Sequence, residues 1–181
     1  MFVKFRLNRE VNRLAEGKAV AKGVINQHSW GGIRTNKVGI LGEYLTKQWL
    51  KDFAPEIHDT RNYDLLLRKG GVKLEVKSKG RTVRPRPDFD ASVPAYNARQ
   101  DAHFYVCTSF LSTGEHETDG QSFDEFGEGY ICGIISPDDF RRKARRYKAG
   151  EQIWVQYDCF NMAFEDMIAP DEFKALMRLR A

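Results

Sequence analysis

The strongest fold signal in this chain is a pair of short apolar segments separated by two glycines. Residues 63–67 (YDLLL) and 72–77 (VKLEVK) have the apolar and β-branched composition of strands, and the glycine pair at 70–71 favours a tight turn. Because side chains alternate along a strand, the second segment is apolar on one face and ionisable on the other. The ionisable face carries Lys73, Glu75 and Lys77. We therefore predict a β-hairpin with one charged face.

Asp64 joins this charged face if the turn of the hairpin has two residues. Pairing across such a turn places Asp64 opposite Lys77 and diagonal to Glu75, with Cβ atoms about 5–8 Å apart. A three-residue turn would instead move Asp64 to the apolar face. Two carboxylates at this separation can hold one divalent cation between them, and oxygen ligands suit Mg²⁺.

A helix is expected before the hairpin. Residues 36–49 begin with an asparagine, a common helix cap, and carry apolar side chains at helical spacing. Glu43 lies off this apolar stripe, and Gly39 and Gly42 would let a backbone or a phosphate approach the helix closely. Alternatively, Glu43 is an exposed helical residue that pairs with Lys47.

These residues together resemble a known nuclease signature. Asp64, residues 75–77 (EVK) and the upstream Glu43 resemble the PD-(D/E)XK nuclease superfamily of restriction enzymes, junction resolvases and phage recombination nucleases. Tyr63 stands where the proline of the family name would be, and the resemblance covers residues 37–79. Since the bare spacing is common by chance, the hairpin and the helix carry the resemblance. It implies an α/β protein with a restriction-endonuclease-like mixed β-sheet core flanked by helices.

The resemblance also implies catalytic roles for four side chains. Asp64 and Glu75 would bind Mg²⁺, for which Mn²⁺ would substitute, and the Val76 carbonyl would complete the protein ligands. Glu43 would contact a metal directly or through water. Lys77 would orient or help deprotonate the water that attacks phosphorus. An ion pair with Asp64 is the structural alternative for Lys77.

Two basic runs indicate a polyanionic partner. The chain has a net charge of only +4, but residues 68–86 hold eight Lys and Arg against one acid. Residues 141–148 add six bases and no acid, so the rest of the chain is acidic. Such patches around a phosphodiesterase-like motif favour nucleic acid. The residues predicted to contact DNA are Lys73, Lys79, Arg81, Arg84, Arg86, Arg141, Arg142 and Arg145.

Gln100 follows the first basic run and resembles a glutamine that some related exonuclease families place on a helix after the lysine motif. We expect a Mg²⁺-dependent DNA endonuclease with structure or weak sequence selectivity, because 181 residues leave little room for a separate recognition domain. Its substrate would be duplex DNA, DNA ends or branched DNA. A homodimer would allow both strands of a duplex to be cut. A junction resolvase or exonuclease of the same superfamily is the alternative, and a non-catalytic nucleic-acid-binding protein is the alternative from another class.

The remaining segments predict one domain over residues 1–181. We expect an N-terminal extension over 1–36, a catalytic core over 37–160 and a C-terminal helix within 161–181. Within the core, composition predicts a loop over 80–99. The acidic run 115–129 predicts a second, exposed loop, strands are expected on either side of it, and a helix is expected from Ser136 to about residue 148.

The cysteines and the hydropathy of the chain indicate the cellular compartment in which the protein is expected. Cys107, Cys132 and Cys159 are widely spaced in apolar runs, which predicts reduced, buried thiols rather than a zinc site. No apolar run approaches the ~18 residues of a membrane span, and the first residues lack the apolar core of a signal peptide. We therefore expect a cytoplasmic protein with no membrane partner.

Overall fold

The computed structural model describes residues 1–23, 32–58, 62–95, 101–118, 121–152 and 157–180, and these form a mixed α/β fold, as predicted. The helices in these ranges are α1 (Arg9–Lys22), α2 (Ile33–Trp49), α3 (Pro137–Lys143) and α4 (Pro170–Arg178), with short 3-10 helices at Lys51–Phe53 and Phe164–Asp166. The strands are β1 (Val3–Arg6), β2 (Pro55–Ile57), β3 (Leu65–Leu67), β4 (Val72–Arg81), β5 (Asp90–Pro94), β6 (Phe104–Thr118), β7 (Gln121–Ile135), β8 (Arg145–Tyr147) and β9 (Cys159–Ala163).

A six-stranded mixed sheet forms the centre of the protein. Its strand order is β1-β7-β6-β4-β3-β2, and among the strands that the structure describes in this sheet only the β4–β6 pair is parallel. A second sheet of three antiparallel strands has the order β5-β9-β8. The parallel pair sets the charged face of β4 beside β6, with Glu75 next to Tyr105.

Other elements cover both faces of the large sheet, because buried apolar side chains project from both faces of its strands. On one face, Leu74 and Val76 of β4 and Val106 of β6 pack with the helices in the largest apolar core. On the other face, Tyr105 and Cys107 belong to smaller cores that include residues of the second sheet and α3. Glu75 and Lys77 point to this second face, because they alternate with Leu74 and Val76.

The predicted hairpin is present, with a longer turn than expected. Leu67 pairs with Val72 and Leu65 with Leu74, so the connecting loop is residues 68–71. The prediction that Asp64 lies opposite Lys77 is therefore wrong, because the observed pairing shifts each partner by two residues. A shift of two preserves the face, and Asp64 stays on the side of Glu75.

The described residues of the segment predicted as an acidic loop, 115–118 and 121–129, instead belong to the paired strands β6 and β7. Phe123 and Phe126 from this segment are buried. The strand pattern was hidden in the sequence because the pairing register shifts at three places, including Ser112/Gly114. Such bulges break the alternation that a strand prediction needs.

Both basic segments also differ from expectation. The predicted loop 80–99 contains the end of β4 and the whole of β5. The helix expected to reach residue 148 ends at Lys143, because Ala144 is extended and the next residues form β8 against β9. A partner strand that is distant in sequence leaves no local signal, so this change could not be predicted.

The terminal segments belong to the same folded unit. The region expected as an N-terminal extension supplies β1 to the sheet and α1, whose Ala15 and Ala19 are fully buried in the main core. The C-terminal segment holds the end of β9 as well as α4, whose Phe173 packs against Trp49. The composition of residues 152–158 (QIWVQYD) also predicts a strand, but residues 153–156 lie outside the described part of the chain.

The cysteine prediction is confirmed, because Cys107, Cys132 and Cys159 are free and buried. Burial raises the pKa of Cys107 and of Cys132 to about 12, so both thiols remain protonated at neutral pH. Among the described residues, no helix combines the length and the apolar composition needed to cross a membrane.

Candidate active site

Asp64 is fixed at the point where the β3–β4 ladder ends. Its backbone N–H donates to the Leu74 carbonyl at 2.9 Å, and its own carbonyl accepts from the His58 N–H at 2.7 Å. Its carboxylate Oδ2 accepts a 2.7 Å hydrogen bond from the N–H of Val76. The carboxylate thus satisfies a backbone donor that lies just beyond the last paired residues of β3, and it is held next to Glu75.

Asp64 lies in a partly buried group of carboxylates. Burial and, to a lesser extent, the negative charges of Glu75 and Glu43 raise the pKa of Asp64, to a net value of about 8. The Val76 hydrogen bond and the charge of Lys77 act in the opposite direction. The four predicted catalytic residues, Glu43, Asp64, Glu75 and Lys77, are therefore close enough to influence one another electrostatically. When ionised, three carboxylates facing one ammonium leave an excess of negative charge.

Lys77 pairs with Glu75 rather than with Asp64. The distance from Lys77 Nζ to Glu75 Oε1 is 2.8 Å, and the two side chains are only 10% and 8% exposed. The ammonium also lies 5.4 Å from the centre of the Tyr105 ring. This geometry holds the lysine on the carboxylate side of β4, where it can meet a phosphate or a water.

Tyr105 is a site residue that sequence reasoning missed. It neighbours Glu75 across the parallel β4–β6 pair, and burial raises the pKa of its hydroxyl. The charge of Arg141 lowers that pKa, which indicates that Arg141 on α3 reaches the same side of the sheet. The strand around Tyr105 was predictable, but its register against β4 depends on a crossover connection and has no signal in the sequence.

Helix α2 brings Glu43 to the site through a close helix–sheet contact. A Cβ atom at Gly42 would lie 2.0 Å from Ser78 Oγ and 3.0 Å from Val76 Cγ1, so only glycine allows α2 to approach β4 this closely. The close approach predicted at Gly42 is thus present, but the groups that approach the helix are protein side chains. At Gly39, by contrast, an added Cβ meets nothing within 4 Å.

The donor set fits a magnesium ion. Within the described part of the chain, no three His, Cys, Asp or Glu side chains converge closely enough to form a complete metal cage. Mg²⁺ does not require one, because it commonly uses one or two carboxylates, keeps several waters and shares substrate phosphates. Asp64 and Glu75, with the Val76 carbonyl and Glu43 nearby, offer oxygen donors only, and their mutual repulsion would be relieved by a divalent cation.

Carboxylates already engage many of the predicted DNA contacts. Lys73 pairs with Asp101, Arg84 with Glu128 and Arg86 with Asp88, while Arg141 and Arg142 pair with Asp138 and Asp139. The local excess of positive charge is therefore smaller than the sequence suggests. Exposed pairs of this kind are screened by solvent and contribute little to stability, so a phosphate can displace the carboxylate.

The three other predicted contacts differ from these. Lys79, Arg81 and Arg145 make no ion pair with any residue that the structure describes. Arg81 instead donates to Ser109 Oγ and to the Asp90 carbonyl, and Arg145 stacks over the Tyr147 ring.

Gln100, predicted near the site, lies outside the described residues. Comparison of the sequence with protein-family models and with curated proteins gives no match.

Proposed function

We propose that this chain is a Mg²⁺-dependent DNA nuclease of the PD-(D/E)XK type with a restriction-endonuclease-like core. The observation that carries the proposal is the shared location of Asp64, Glu75 and Lys77 on one face of the hairpin, with the charge of Glu43 felt at Asp64. The position of Asp64 beside β3 and of the Glu-Val-Lys run on β4 supports the family resemblance. The mixed sheet with covering helices is compatible with that core.

Asp64, Glu75 and the Val76 carbonyl would hold the ion, and Glu43 would contact it directly or through water. When bound, Mg²⁺ supplies charge stabilisation for the phosphate and lowers the pKa of a coordinated water. The Asp64 carboxylate needs no rearrangement to act as a ligand, because hydrogen bonds already fix the backbone of Asp64 and its Oδ2 atom.

Lys77 would act on the attacking water and the phosphate. Its ammonium is held by Glu75 at 2.8 Å, so it can donate to a phosphate oxygen or orient the water for in-line attack. As a positioning group it needs no change of protonation state. To act as the general base it would first have to lose a proton.

A cleavage panel tests the proposal. Purified protein is incubated with labelled linear, flapped, branched and single-stranded DNA, with Mg²⁺ or with EDTA. We expect cleavage of at least one substrate with Mg²⁺, none with EDTA, and none with Glu75→Ala. A wild-type protein that cuts no substrate with Mg²⁺ or Mn²⁺ would overturn the proposal.

A non-catalytic nucleic-acid-binding protein is the second candidate. The Lys77–Glu75 ion pair favours it, since a buried pair of this kind also occurs as a purely structural feature. This candidate predicts DNA binding without metal-dependent cleavage, so the same panel separates the two functions.

A further inference from the structure

A cavity adjoins the candidate active site, between the large sheet and the second sheet. Its volume is about 260 Å³, and it is lined by residues of β4, β5, β6 and β9 together with neighbouring residues. It is smaller than the roughly 300–1,000 Å³ pockets that enclose a drug-sized ligand. The cavity therefore suits a small group, such as a phosphate, better than a whole nucleotide.

The cavity wall is rich in cations. Lys77, Lys79 and Arg81 all line it, and Asp90 is the carboxylate among the lining residues. Because these bases alternate along β4, they share one face at intervals of about 6.6 Å. Neighbouring phosphates along a nucleic-acid strand are spaced similarly, so the face can match successive phosphates, with Lys77 at the scissile one.

Lys79 differs from the other two cavity cations in its contacts with the described residues. Its side chain makes no hydrogen bond or ion pair with any described residue, whereas Lys77 binds Glu75 and Arg81 donates to Ser109 and Asp90. Partial desolvation at the cavity wall and repulsion from Arg81 lower the pKa of Lys79, although Asp90 opposes this and the residue stays accessible to solvent. A cation in this state gains stability from a bound anion.

We infer that this cavity is a phosphate subsite, in which Lys79 binds a phosphate of the nucleic acid adjacent to the scissile one. The inference rests on the proposed nuclease function and deepens it. Arg81 supports the subsite, because its hydrogen bonds to Ser109 and Asp90 hold the guanidinium at the cavity wall. The phosphate is either a terminal phosphate at a strand end or a backbone phosphodiester, and the two sources have the same chemistry.

Binding in EDTA tests the subsite without catalysis. Dissociation constants are measured by fluorescence anisotropy for internally labelled DNA duplexes that carry terminal phosphates or terminal hydroxyls, with covalently closed circular DNA as a competitor. The variant is Lys79→Met, and the matched control is Lys51→Met, an exposed lysine at another surface. Thermal melting verifies that both variants fold.

We expect Lys79→Met to weaken binding roughly tenfold, the loss typical of one charge-assisted hydrogen bond, and Lys51→Met to leave it unchanged. If the loss disappears with terminal hydroxyls, the subsite takes a terminal phosphate. If it persists and circular DNA also competes less well with Lys79→Met, it takes a backbone phosphate. Binding of every DNA by Lys79→Met with the wild-type dissociation constant would overturn the subsite.

The two proposals can fail separately. A wild-type protein that cuts nothing, while Lys79→Met still weakens binding, would remove the nuclease function and leave a phosphate-binding cavity. A wild-type protein that cuts DNA, while Lys79→Met binds normally, would remove only the subsite.

Discussion

The Oδ2 atom of Asp64 accepts a 2.7 Å hydrogen bond from the backbone N–H of Val76, the residue between Glu75 and Lys77. This contact joins the two parts of the predicted signature, which are separated along the chain by the hairpin turn. It places the Asp64 carboxylate where burial and the charges of Glu75 and Glu43 act on it. In the metal-free site this environment favours the protonated Asp64 carboxyl at neutral pH, whereas a bound divalent cation would favour the ionised carboxylate.

The first prediction concerns the pH dependence of stability. The pKa of folded Asp64, about 8, lies above the ordinary value of 3.8, so its contribution to folding is full below pH 3.8 and is lost as pH rises through 8. Asp64→Asn keeps an oxygen for the Val76 N–H but carries no charge. We expect this variant to stabilise the metal-free protein by roughly 1–2 kcal/mol near pH 9 and to have a much smaller effect near pH 4.

Urea unfolding in EDTA at both pH values measures this difference. Asp166→Asn, at an exposed position of the 3-10 helix Phe164–Asp166, is the control and should change stability equally at both pH values. An Asp64→Asn variant that is less stable than the wild type near pH 9 would show that the carboxylate is not under repulsive strain.

The second prediction uses two glycines of α2 as a matched pair. Gly42→Ala would bring a Cβ against Ser78, Val76 and Thr108, and we expect it to destabilise the protein by about 1–3 kcal/mol and to lower nuclease activity by displacing Glu43. Gly39→Ala meets open space in the same helix, so we expect it to stabilise the protein by up to about 1 kcal/mol. Thermal unfolding compares the two, and an equal effect of both substitutions would contradict the close helix–sheet contact.

The third prediction concerns a buried ion pair on the opposite side of the sheet from Lys77. Lys37 is 1% exposed, donates to Glu16 Oε1 at 2.6 Å and lies 5.8 Å from the centre of the Phe123 ring. We expect Lys37→Met to cost about 3 kcal/mol of unfolding free energy, because it removes the ammonium from a buried carboxylate and leaves it only the His116 imidazole, whose Nε2 lies 3.1 Å from Glu16 Oε1. The double variant Lys37→Met/Glu16→Met should recover part of that loss, since neither charge remains buried.

Denaturant unfolding with Lys51→Met as the exposed control measures both effects. The ion-pair account fails if Lys37→Met unfolds at the same denaturant concentration as Lys51→Met. It also fails if the double variant is less stable than Lys37→Met alone.

The fourth prediction concerns the loop between β4 and β5. Arg84 and Arg86 are paired with Glu128 and Asp88, and phosphates would replace these carboxylates on binding. We expect Arg84→Ala/Arg86→Ala to reduce the slope of log affinity against log salt by about two. Arg178→Ala, an exposed arginine of α4, is the control. An unchanged slope in the double variant would exclude this loop from the DNA path.

The hairpin and its charged face could be predicted because both depend on local alternation. The prediction that Asp64 shares the face of Glu75 is confirmed although the turn has four residues, because turns of two and of four residues place Asp64 on the same face of the hairpin. Its hydrogen bond to Val76 could not be predicted, because it forms only where the β3–β4 ladder ends. The position of Tyr105 likewise depends on the register of a parallel pair.

The basic patches show a different limit. Sequence gives the sign and density of charge, but it does not show which acids fold back onto the bases. Arg84 pairs with Glu128, 44 residues away along the chain, through the packing of the β4–β5 loop near β7. Likewise, the sequence does not distinguish Lys79 from the other bases of the first basic run, because its position at the cavity wall depends on the packing of the two sheets.

The central claim is that Glu75 and Lys77 perform metal-dependent cleavage rather than simply hold DNA or the fold. The most direct measurement is the single-turnover cleavage rate with Mg²⁺ of the DNA substrate that the wild type cuts best, alongside its dissociation constant in EDTA. We predict that Glu75→Ala and Lys77→Ala each lower the rate at least about 100-fold, while DNA binding stays within about twofold of the wild type and Lys51→Ala changes neither. Cleavage by both variants at the wild-type rate would contradict the account.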